Sequence, residues 1–269
     1  MHEGYVLKLV SPVSGLFSDR DLARKVAKVS ESLEGRPDYP EVFFDWRDRI
    51  SHIHFSEPLL DIHVPWGDHQ KRAVEWALEV VGGGLQALSF HLSRDFVNCD
   101  EDARGRYIAG DSRLEIVDMH RNAEENTDWL RERTDCRILF ENNNYFATGA
   151  YEVVTLPTVI ADLVQSHADG LLLDLAHAVV SSENRHQSLM SYLDALMTCK
   201  VQQIHVSKAA VETPGNAIDA HGAPDAWELD LLSDFLGRDF LGQLPITVEY
   251  YGDGSRLLAT LETYKKCWG

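Results

Sequence analysis

Short apolar runs alternate with longer stretches of helical periodicity from one end of the chain to the other. A sheet of parallel strands joined by crossover helices produces this rhythm, because such strands are buried on both faces and the helices on one. Eight runs have the length and composition of strands, at residues 5–10, 41–45, 50–55, 87–91, 137–141, 170–174, 203–206 and 246–249. This alternation predicts an α/β fold, a (β/α)8 TIM barrel that forms a single domain over residues 1–269.

The stretches between the strands predict the helices. Helical periodicity covers residues 21–33, 69–81, 114–131, 155–166, 188–196 and 226–235. Asp68 and Ser188 stand where N-caps are expected, because their side-chain oxygens can accept hydrogen bonds from the first helical turn. The second and third strands are joined by a link too short for a helix, so we expect a slightly irregular barrel.

The charge of the chain restricts its partners. There are 43 acidic and 25 basic residues, and the formal net charge is −18. This average field repels a polyanion, and no run of lysines or arginines offsets it, so we do not expect nucleic acid as a ligand. The charge favours a small molecule, a peptide or a protein partner.

The distribution of apolar residues and cysteines predicts a cytoplasmic protein that does not span a membrane. The apolar stretches are too short to cross a bilayer, and the first residues lack the regions of a signal peptide. Four cysteines are scattered without a C-x-x-C pair, which is typical of free thiols in a reducing compartment. They are Cys99, Cys136, Cys199 and Cys267.

The informative feature is the last residue of each strand. Six predicted strands end in a side chain that can bind a metal ion: His54, His91, Glu141, Asp174, His205 and Glu249. A carboxylate at the end of a buried strand is costly unless something compensates its charge. The C-terminal ends of the strands of a barrel converge on one mouth, where active sites lie. We therefore expect these six side chains to gather around shared cations.

Two short motifs extend this set. Asp174-Leu175-Ala176-His177 follows one strand, and Asp219-Ala220-His221 lies in the predicted loop after the seventh strand. Taken alone, each member has an ordinary structural explanation, such as a helix cap or a hydrogen-bonded histidine. The predicted metal ligands are His54, His91, Glu141, Asp174, His177, His205, Asp219, His221 and Glu249, with Glu141, Asp174 and His205 at the catalytic centre. Oxygen and imidazole donors without thiolates suit zinc, iron or manganese, and Glu141 can bridge two ions.

Some polar residues near these ligands are expected to support them. Asn142 and Asn143 form either a polar turn or groups that orient the ligands. Asn184 and His186 are expected at the mouth. The remaining histidines are interpreted as structural, and His52 is expected to face the opposite side of its strand from His54.

The order and spacing of these motifs resemble the multinuclear non-heme iron-dependent oxidative enzymes, which include the iron enzyme of methanobactin biosynthesis and have a xylose-isomerase-like barrel. The matching segments are Ile53-His54, Ser89-Phe90-His91-Leu92, Leu139-Phe140-Glu141-Asn142, Leu171-Leu172-Leu173-Asp174, Gln203-Ile204-His205-Val206, Asp219-Ala220-His221-Gly222-Ala223-Pro224 with Trp227, and Val248-Glu249. The resemblance covers roughly residues 37–255. It departs from the family pattern at Phe90, where the family has an acidic residue, and at His177, where many members have Asn.

The resemblance implies an enzyme that modifies a ribosomally synthesised precursor peptide in natural-product (RiPP) biosynthesis. It implies two or three iron ions in mixed Fe(II)/Fe(III) states, with O2 as co-substrate. The expected reaction is oxidation of cysteine, by oxazolone and thioamide formation or by carbon excision. Such enzymes commonly form a heterodimer with a small companion protein that binds the leader segment of the precursor.

Other functions remain open on the residues alone. Apurinic-site endonucleases of the same barrel class hold three zinc ions with a similar nine-residue set, and they hydrolyse phosphodiesters. A hydrolase of this kind needs cationic groups around the mouth, for which Arg94 and Lys208 are candidates. A sugar isomerase of the same class also uses carboxylate and histidine ligands. A non-enzymatic metal-binding scaffold would not need so many convergent ligands.

Overall fold

The computed structural model describes residues 9–10, 41–44, 50–55, 60–81, 85–237 and 244–249. The strands in these segments are β1 Leu9–Val10, β2 Glu41–Phe44, β3 Ile50–Phe55, β4 Ala87–Leu92, β5 Asp100–Glu101, β6 Tyr107–Ile108, β7 Arg137–Asn142, β8 Gly170–Asp174, β9 Val201–Val206, β10 Lys208–Thr213, β11 Asn216–Gly222 and β12 Ile246–Val248. The helices are α1 Asp68–Val81, α2 Ile116–Arg131, α3 Pro157–His167, α4 Leu175–Asn184, α5 Leu189–Leu196 and α6 Ala226–Leu236.

Eight of the strands close into a barrel in the order β1-β12-β9-β8-β7-β4-β3-β2. The neighbours from β3 through β4, β7, β8 and β9 to β12 are all parallel. Strand β2 runs antiparallel to β3, and β1 runs antiparallel to β12. The predicted α/β barrel is therefore confirmed, and its irregularity is that β1 and β2 both run opposite to the six parallel strands, with one reversal at the short link between β2 and β3.

The eight predicted strands correspond to the eight barrel strands, and the helix boundaries agree within two residues where the structure describes them. The predicted N-cap Ser188 is confirmed, since its side chain accepts a hydrogen bond from the Ser191 backbone. The other predicted cap, Asp68, is the first residue of α1 rather than the residue before it. The predicted helix at residues 21–33 and the start of the first strand at residues 5–8 lie outside the described residues.

Helix α4 was not predicted. It begins directly after β8, and the Asp174 side chain caps it by accepting a hydrogen bond from the His177 backbone at 2.7 Å. Most of its residues are buried, polar ones included, so the helix has no exposed polar face to give an amphipathic period.

Two β-hairpins at the mouth were also missed, and one of them corrects the predicted position of two ligands. Asp219 and His221 do not lie in a loop: they belong to β11, which pairs with β10 in a hairpin. A signal for this hairpin is present in the sequence, because Pro214-Gly215 separates the two runs, and Gly215 has a φ of +76°. The smaller hairpin, β5 with β6, approaches it through Arg104, whose Nη1 lies 3.4 Å from Glu212 Oε2.

Alternation along the strands separates the two sides of the barrel wall. One set of strand residues is apolar and belongs to the main core between barrel and helices, including Ile53, Phe90, Phe140, Leu173 and Ile204. Their immediate neighbours along the strands face the barrel interior, since successive strand side chains point to opposite faces. The predicted ligands lie on this inner side.

Two findings concern the thiols and the helices of the described residues; Cys267 lies outside them. Cys136 and Cys199 form no disulfide, and burial raises the pKa of Cys199 to about 11, so it is an unreactive thiol at neutral pH. Among the described residues, no helix has both the length and the apolar character needed to cross a bilayer.

Candidate metal centre

Glu141 stands at the middle of the ligand cluster at the end of β7. Its Oε2 lies 2.9 Å from His91 Nε2 and 3.1 Å from His54 Nε2. Its Oε1 lies 3.2 Å from His205 Nδ1, on the other side of the barrel interior. The two carboxylate oxygens therefore face different sets of ligands, which is the arrangement of a bridging carboxylate.

Two three-residue groups have the spacing of metal sites, and Glu141 belongs to both. They are His54 with His91 and Glu141, and Glu141 with Asp174 and His205. Within each group, one ligand atom per residue lies within 4.8 Å of the others. All of these residues but His91 are fully buried, and His91 is 11% exposed in its side chain.

The remaining predicted ligands extend the cluster towards the β10–β11 hairpin. His177 Nε2 lies 3.2 Å from Asp219 Oδ2, and His221 Nε2 lies 3.3 Å from the same oxygen. Glu249 connects this end to the first, because its Oε1 is 2.7 Å from His205 Nδ1 and its Oε2 is 3.6 Å from His221 Nδ1. The structure thus brings all nine predicted ligands into one continuous cluster.

The electrostatics of the cluster show a conflict that cations would resolve. Burial alone would raise the pKa of Glu141, but three surrounding imidazoles outweigh it and hold this pKa well below its ordinary value. Burial would lower the pKa of His205, but Glu249 and Glu141 raise it to about 9. Without metal, protons on the histidines supply the positive charge that the carboxylates require.

Asp174 shows the same conflict in the opposite direction. Burial raises the pKa of Asp174 to about 7, against the effect of His177, and the nearby carboxylates Glu249 and Glu141 add to the shift. Its Oδ2 is buried and has no hydrogen-bond partner among the described residues. A buried carboxylate oxygen of this kind normally has a partner, so its position in the cluster fits a metal ligand.

Of the residues expected to orient the ligands, Asn142 has the clearest contacts. Its side-chain Nδ2 donates to the Asp174 backbone oxygen, and its Oδ1 accepts from the Asp174 backbone nitrogen, both at 2.9 Å. Its own backbone oxygen lies 2.8 Å from His177 Nδ1, which leaves Nε2 of His177 directed at Asp219. Asn142 therefore positions two of the predicted ligands.

The other three supporting residues act at a greater distance. The backbone oxygen of Asn143 accepts a hydrogen bond from Ser181 on α4. Asn184 pairs through its side chain with the backbone nitrogen and oxygen of Ala217, and so it fastens the hairpin that carries Asp219 and His221. His186 is exposed at the tip of this hairpin, where its ring lies over Gly215, so the structure does not bring it to the ligands.

A layer of polar residues that the sequence did not predict lies below the ligands, and His52 belongs to it rather than to the opposite face of its strand. Residues two apart in a strand point to the same face, so His52 shares the inner face with His54 and does not oppose it. Ser89 confirms this, because its Oγ lies 2.6 Å from His52 Nε2 and 2.7 Å from His54 Nδ1. Burial, together with the nearby His205, lowers the pKa of His52 to about 3, so this ring is neutral.

The fold and the site together define a (β/α)8 barrel with a buried carboxylate and imidazole cluster at its mouth. A family model described as the RiPP precursor modification enzymes MbnB/TglH/ChrH matches residues 117–264. This is more than half of the 269 residues, and the chain belongs to this family. The resemblance stated from the sequence is therefore confirmed.

One curated relative and two solved structures are also similar. A UPF0276 protein of Psychromonas ingrahamii is 28% identical over 110 residues, which is 39% of this chain and 39% of that protein. The 3-keto-D-glucoside 4-epimerase of E. coli, in its apo form, aligns with a TM-score of 0.49 and 10% identity over 97% of this chain and 99% of that chain. The D-psicose 3-epimerase of Clostridium cellulolyticum H10, solved with D-tagatose, aligns with a TM-score of 0.43 and 11% identity over 85% of this chain and 79% of that chain.

Proposed function

We propose that this protein is a multinuclear non-heme iron oxidase that uses O2 to modify cysteine in a ribosomally synthesised precursor peptide. Membership of a family of RiPP precursor modification enzymes supports the peptide substrate. The donor set supports the metal, since imidazoles and carboxylates without thiolates suit iron. The proposed cofactor is two or three iron ions in mixed Fe(II)/Fe(III) states.

The observation that carries the proposal is the shared position of Glu141. A single carboxylate belongs to both three-residue ligand groups, so two ions bound there would be close neighbours. The proposed ligands are His54, His91 and Glu141 for one ion, Glu141, Asp174 and His205 for a second, and His177, Asp219, His221 and Glu249 for the remaining coordination and a third ion.

Bound iron would supply electrons to dioxygen and Lewis acidity to a substrate thiolate. Formation of an oxazolone with an adjacent thioamide removes four hydrogen atoms from the peptide, and these reduce one O2 to two water molecules. Carbon excision is the other outcome that the family resemblance implies. The protein contributes ligands that are mostly buried, and Asn142 holds two of them, Asp174 and His177, in place.

The proposal includes a small companion protein that binds the leader segment of the precursor and forms a heterodimer with this chain. The net charge of −18 is consistent with attraction of a basic partner or leader. It also opposes binding to nucleic acid.

Two cationic residues that a phosphodiesterase would need are already paired. Arg94 is buried, with its Nε 3.1 Å from Asp61 Oδ2, and its guanidinium lies over the Tyr107 ring. Lys208 donates to the Asp225 carboxylate. The buried pair with Asp61 makes Arg94 a poor phosphate ligand, whereas the exposed Lys208–Asp225 pair is weak and does not separate the zinc hydrolase from the oxidase.

The experiment combines anaerobic Fe(II) loading with a cysteine-containing precursor peptide and a companion protein, both to be sought among the genes next to the one for this chain. We expect a visible absorption band on addition of O2. If the reaction forms the oxazolone and thioamide, mass spectrometry should show that the peptide has lost the mass of four hydrogen atoms. A precursor with serine in place of its core cysteine is the control and should stay unmodified.

The metal content separates the alternatives. A colourless protein that holds only zinc and acts without O2 would refute the oxidase and support the hydrolase. Activity that depends on magnesium or manganese and converts a sugar would support the isomerase instead.

A further inference from the structure

A layer of buried polar side chains lies directly below the metal ligands inside the barrel. Four of its members stand two residues before a predicted ligand on the same strand and share its inward face: His52, Ser89, Gln203 and Thr247. Leu139 and Leu172 stand two residues before Glu141 and Asp174, and they form a small apolar cluster with Ala87. Polar groups at this depth destabilise a fold unless they are hydrogen-bonded, so their presence requires an explanation.

These side chains contact two ligands on different sides of the barrel. Ser89 Oγ lies 2.7 Å from His54 Nδ1 and 2.6 Å from His52 Nε2. The Gln203 side chain lies close enough to His52 to affect the pKa of its ring. The amide of Gln203 lies 3.2 Å from His205 Nε2 and 3.3 Å from Thr247 Oγ1.

The two ligand histidines present different nitrogens to the centre. His54 directs Nε2 at Glu141, whereas His205 directs Nδ1 at Glu141. In both rings the opposite nitrogen faces the polar layer. A neutral imidazole that binds a metal through one nitrogen carries its proton on the other, so both rings must donate a hydrogen bond into the layer.

This requirement determines the acceptors. Ser89 Oγ accepts from His54 Nδ1. The nitrogen and oxygen of a glutamine amide are nearly indistinguishable by shape, and their orientation follows from the hydrogen-bond network. With metal bound, the Gln203 amide must therefore turn its Oε1 to His205 Nε2, where it also accepts from the Thr247 hydroxyl.

We propose that Ser89 and Gln203 are positioning residues that select the metal-binding nitrogen of His54 and His205. A hydroxyl below one ring and an amide oxygen below the other fix each imidazole in the tautomer and orientation that its metal requires. This inference rests on the proposed metal centre but not on iron, oxygen or the peptide substrate.

The test compares zinc binding in Ser89→Ala and Gln203→Leu with binding in the original protein, under competition with a chelator. We expect each variant to bind zinc about 10- to 100-fold more weakly, the range seen when groups that orient metal ligands are removed. Gln203→Glu keeps an acceptor below His205 and should restore most of the affinity. Ser93→Ala is the matched control, since Ser93 is buried and bonded to Asp61 and touches no predicted ligand in the described contacts.

A second measurement reads the tautomers directly. In zinc-loaded protein labelled with ¹⁵N-histidine, NMR should show Nδ1–H on His54 and Nε2–H on His205. Ser89→Ala should disturb the signals of His54 first, and Gln203→Leu those of His205 first.

The outcomes separate this inference from the proposed centre. If the original protein binds no zinc or iron, the centre fails and the positioning role fails with it. If the original protein binds metal and both variants bind it equally well with unchanged ring signals, the centre stands and the positioning role is refuted.

Discussion

Replacement of Glu141 by glutamine tests the centre at its most connected residue. The amide keeps the size of the side chain but has one oxygen instead of two and no charge. It can coordinate an ion in only one of the two groups that share Glu141. The other group is left with two protein ligands, so we expect Glu141→Gln to bind one ion fewer than the original protein.

The magnitude follows from the geometry of the cluster. The ligand atoms of each group lie within 4.8 Å of one another, so an ion bound among them is about 4 Å or less from the carboxylate charge. Two unit charges about 4 Å apart interact with about 4 kcal/mol at an effective dielectric constant of about 20, and the charge of a divalent ion doubles this energy. We therefore expect a loss of at least roughly a thousandfold in the affinity of the ion that keeps its site.

The assay is metal content by mass spectrometry after anaerobic Fe(II) loading, followed by chelator competition for the affinity. Glu152→Gln is the matched control, because Glu152 accepts a hydrogen bond from Tyr145 away from the ligands. Glu152→Gln should keep the original metal content. Equal metal content and affinity in Glu141→Gln would refute the bridging position.

The remaining predictions concern pH and stability. The pKa of His205 is about 9 in the folded protein, above its ordinary value of 6.5. The metal-free protein should therefore lose free energy of unfolding as the pH rises from about 6.5 to about 9. Urea titrations at several pH values should show this loss, and the loss should be smaller in His205→Gln. The pKa of Asp174 is also raised, from 3.8 to about 7, so the free energy of unfolding should fall as the pH rises from about 4 to about 7. The same titrations should show a smaller fall in Asp174→Asn. Leu172→Ala opens a cavity inside the barrel and should lower the free energy of unfolding by about 2–5 kcal/mol. Chemical denaturation measures this loss, and an unchanged free energy of unfolding would contradict the packing described. Asp225→Ala removes the capping box of α6 and should lower the free energy of unfolding by about 0.5–2 kcal/mol, measured as a lower midpoint of thermal unfolding.

The sequence alone predicted the barrel and identified the candidate ligands. Buried parallel strands must be apolar, so the runs that end at Glu141 and Asp174 could be recognised from composition, and a polar residue at the end of such a run marks the mouth. The sequence could not show helix α4, because burial on most of its faces removes the amphipathic period. It also placed His52 on the wrong face, an error in applying the alternation of strand residues rather than a missing signal.

Only the tertiary structure decided which atoms meet. Glu141, His54 and His205 are far apart in the chain, and the direction of each ring nitrogen depends on groups from neighbouring strands, such as Ser89 below His54. The β10–β11 hairpin, which carries Asp219 and His221 over the mouth, likewise depends on its contacts with α4 through Asn184. Periodicity along a strand determines the face on which a side chain lies, but the closure of the sheet determines its partners, because those partners come from other parts of the chain.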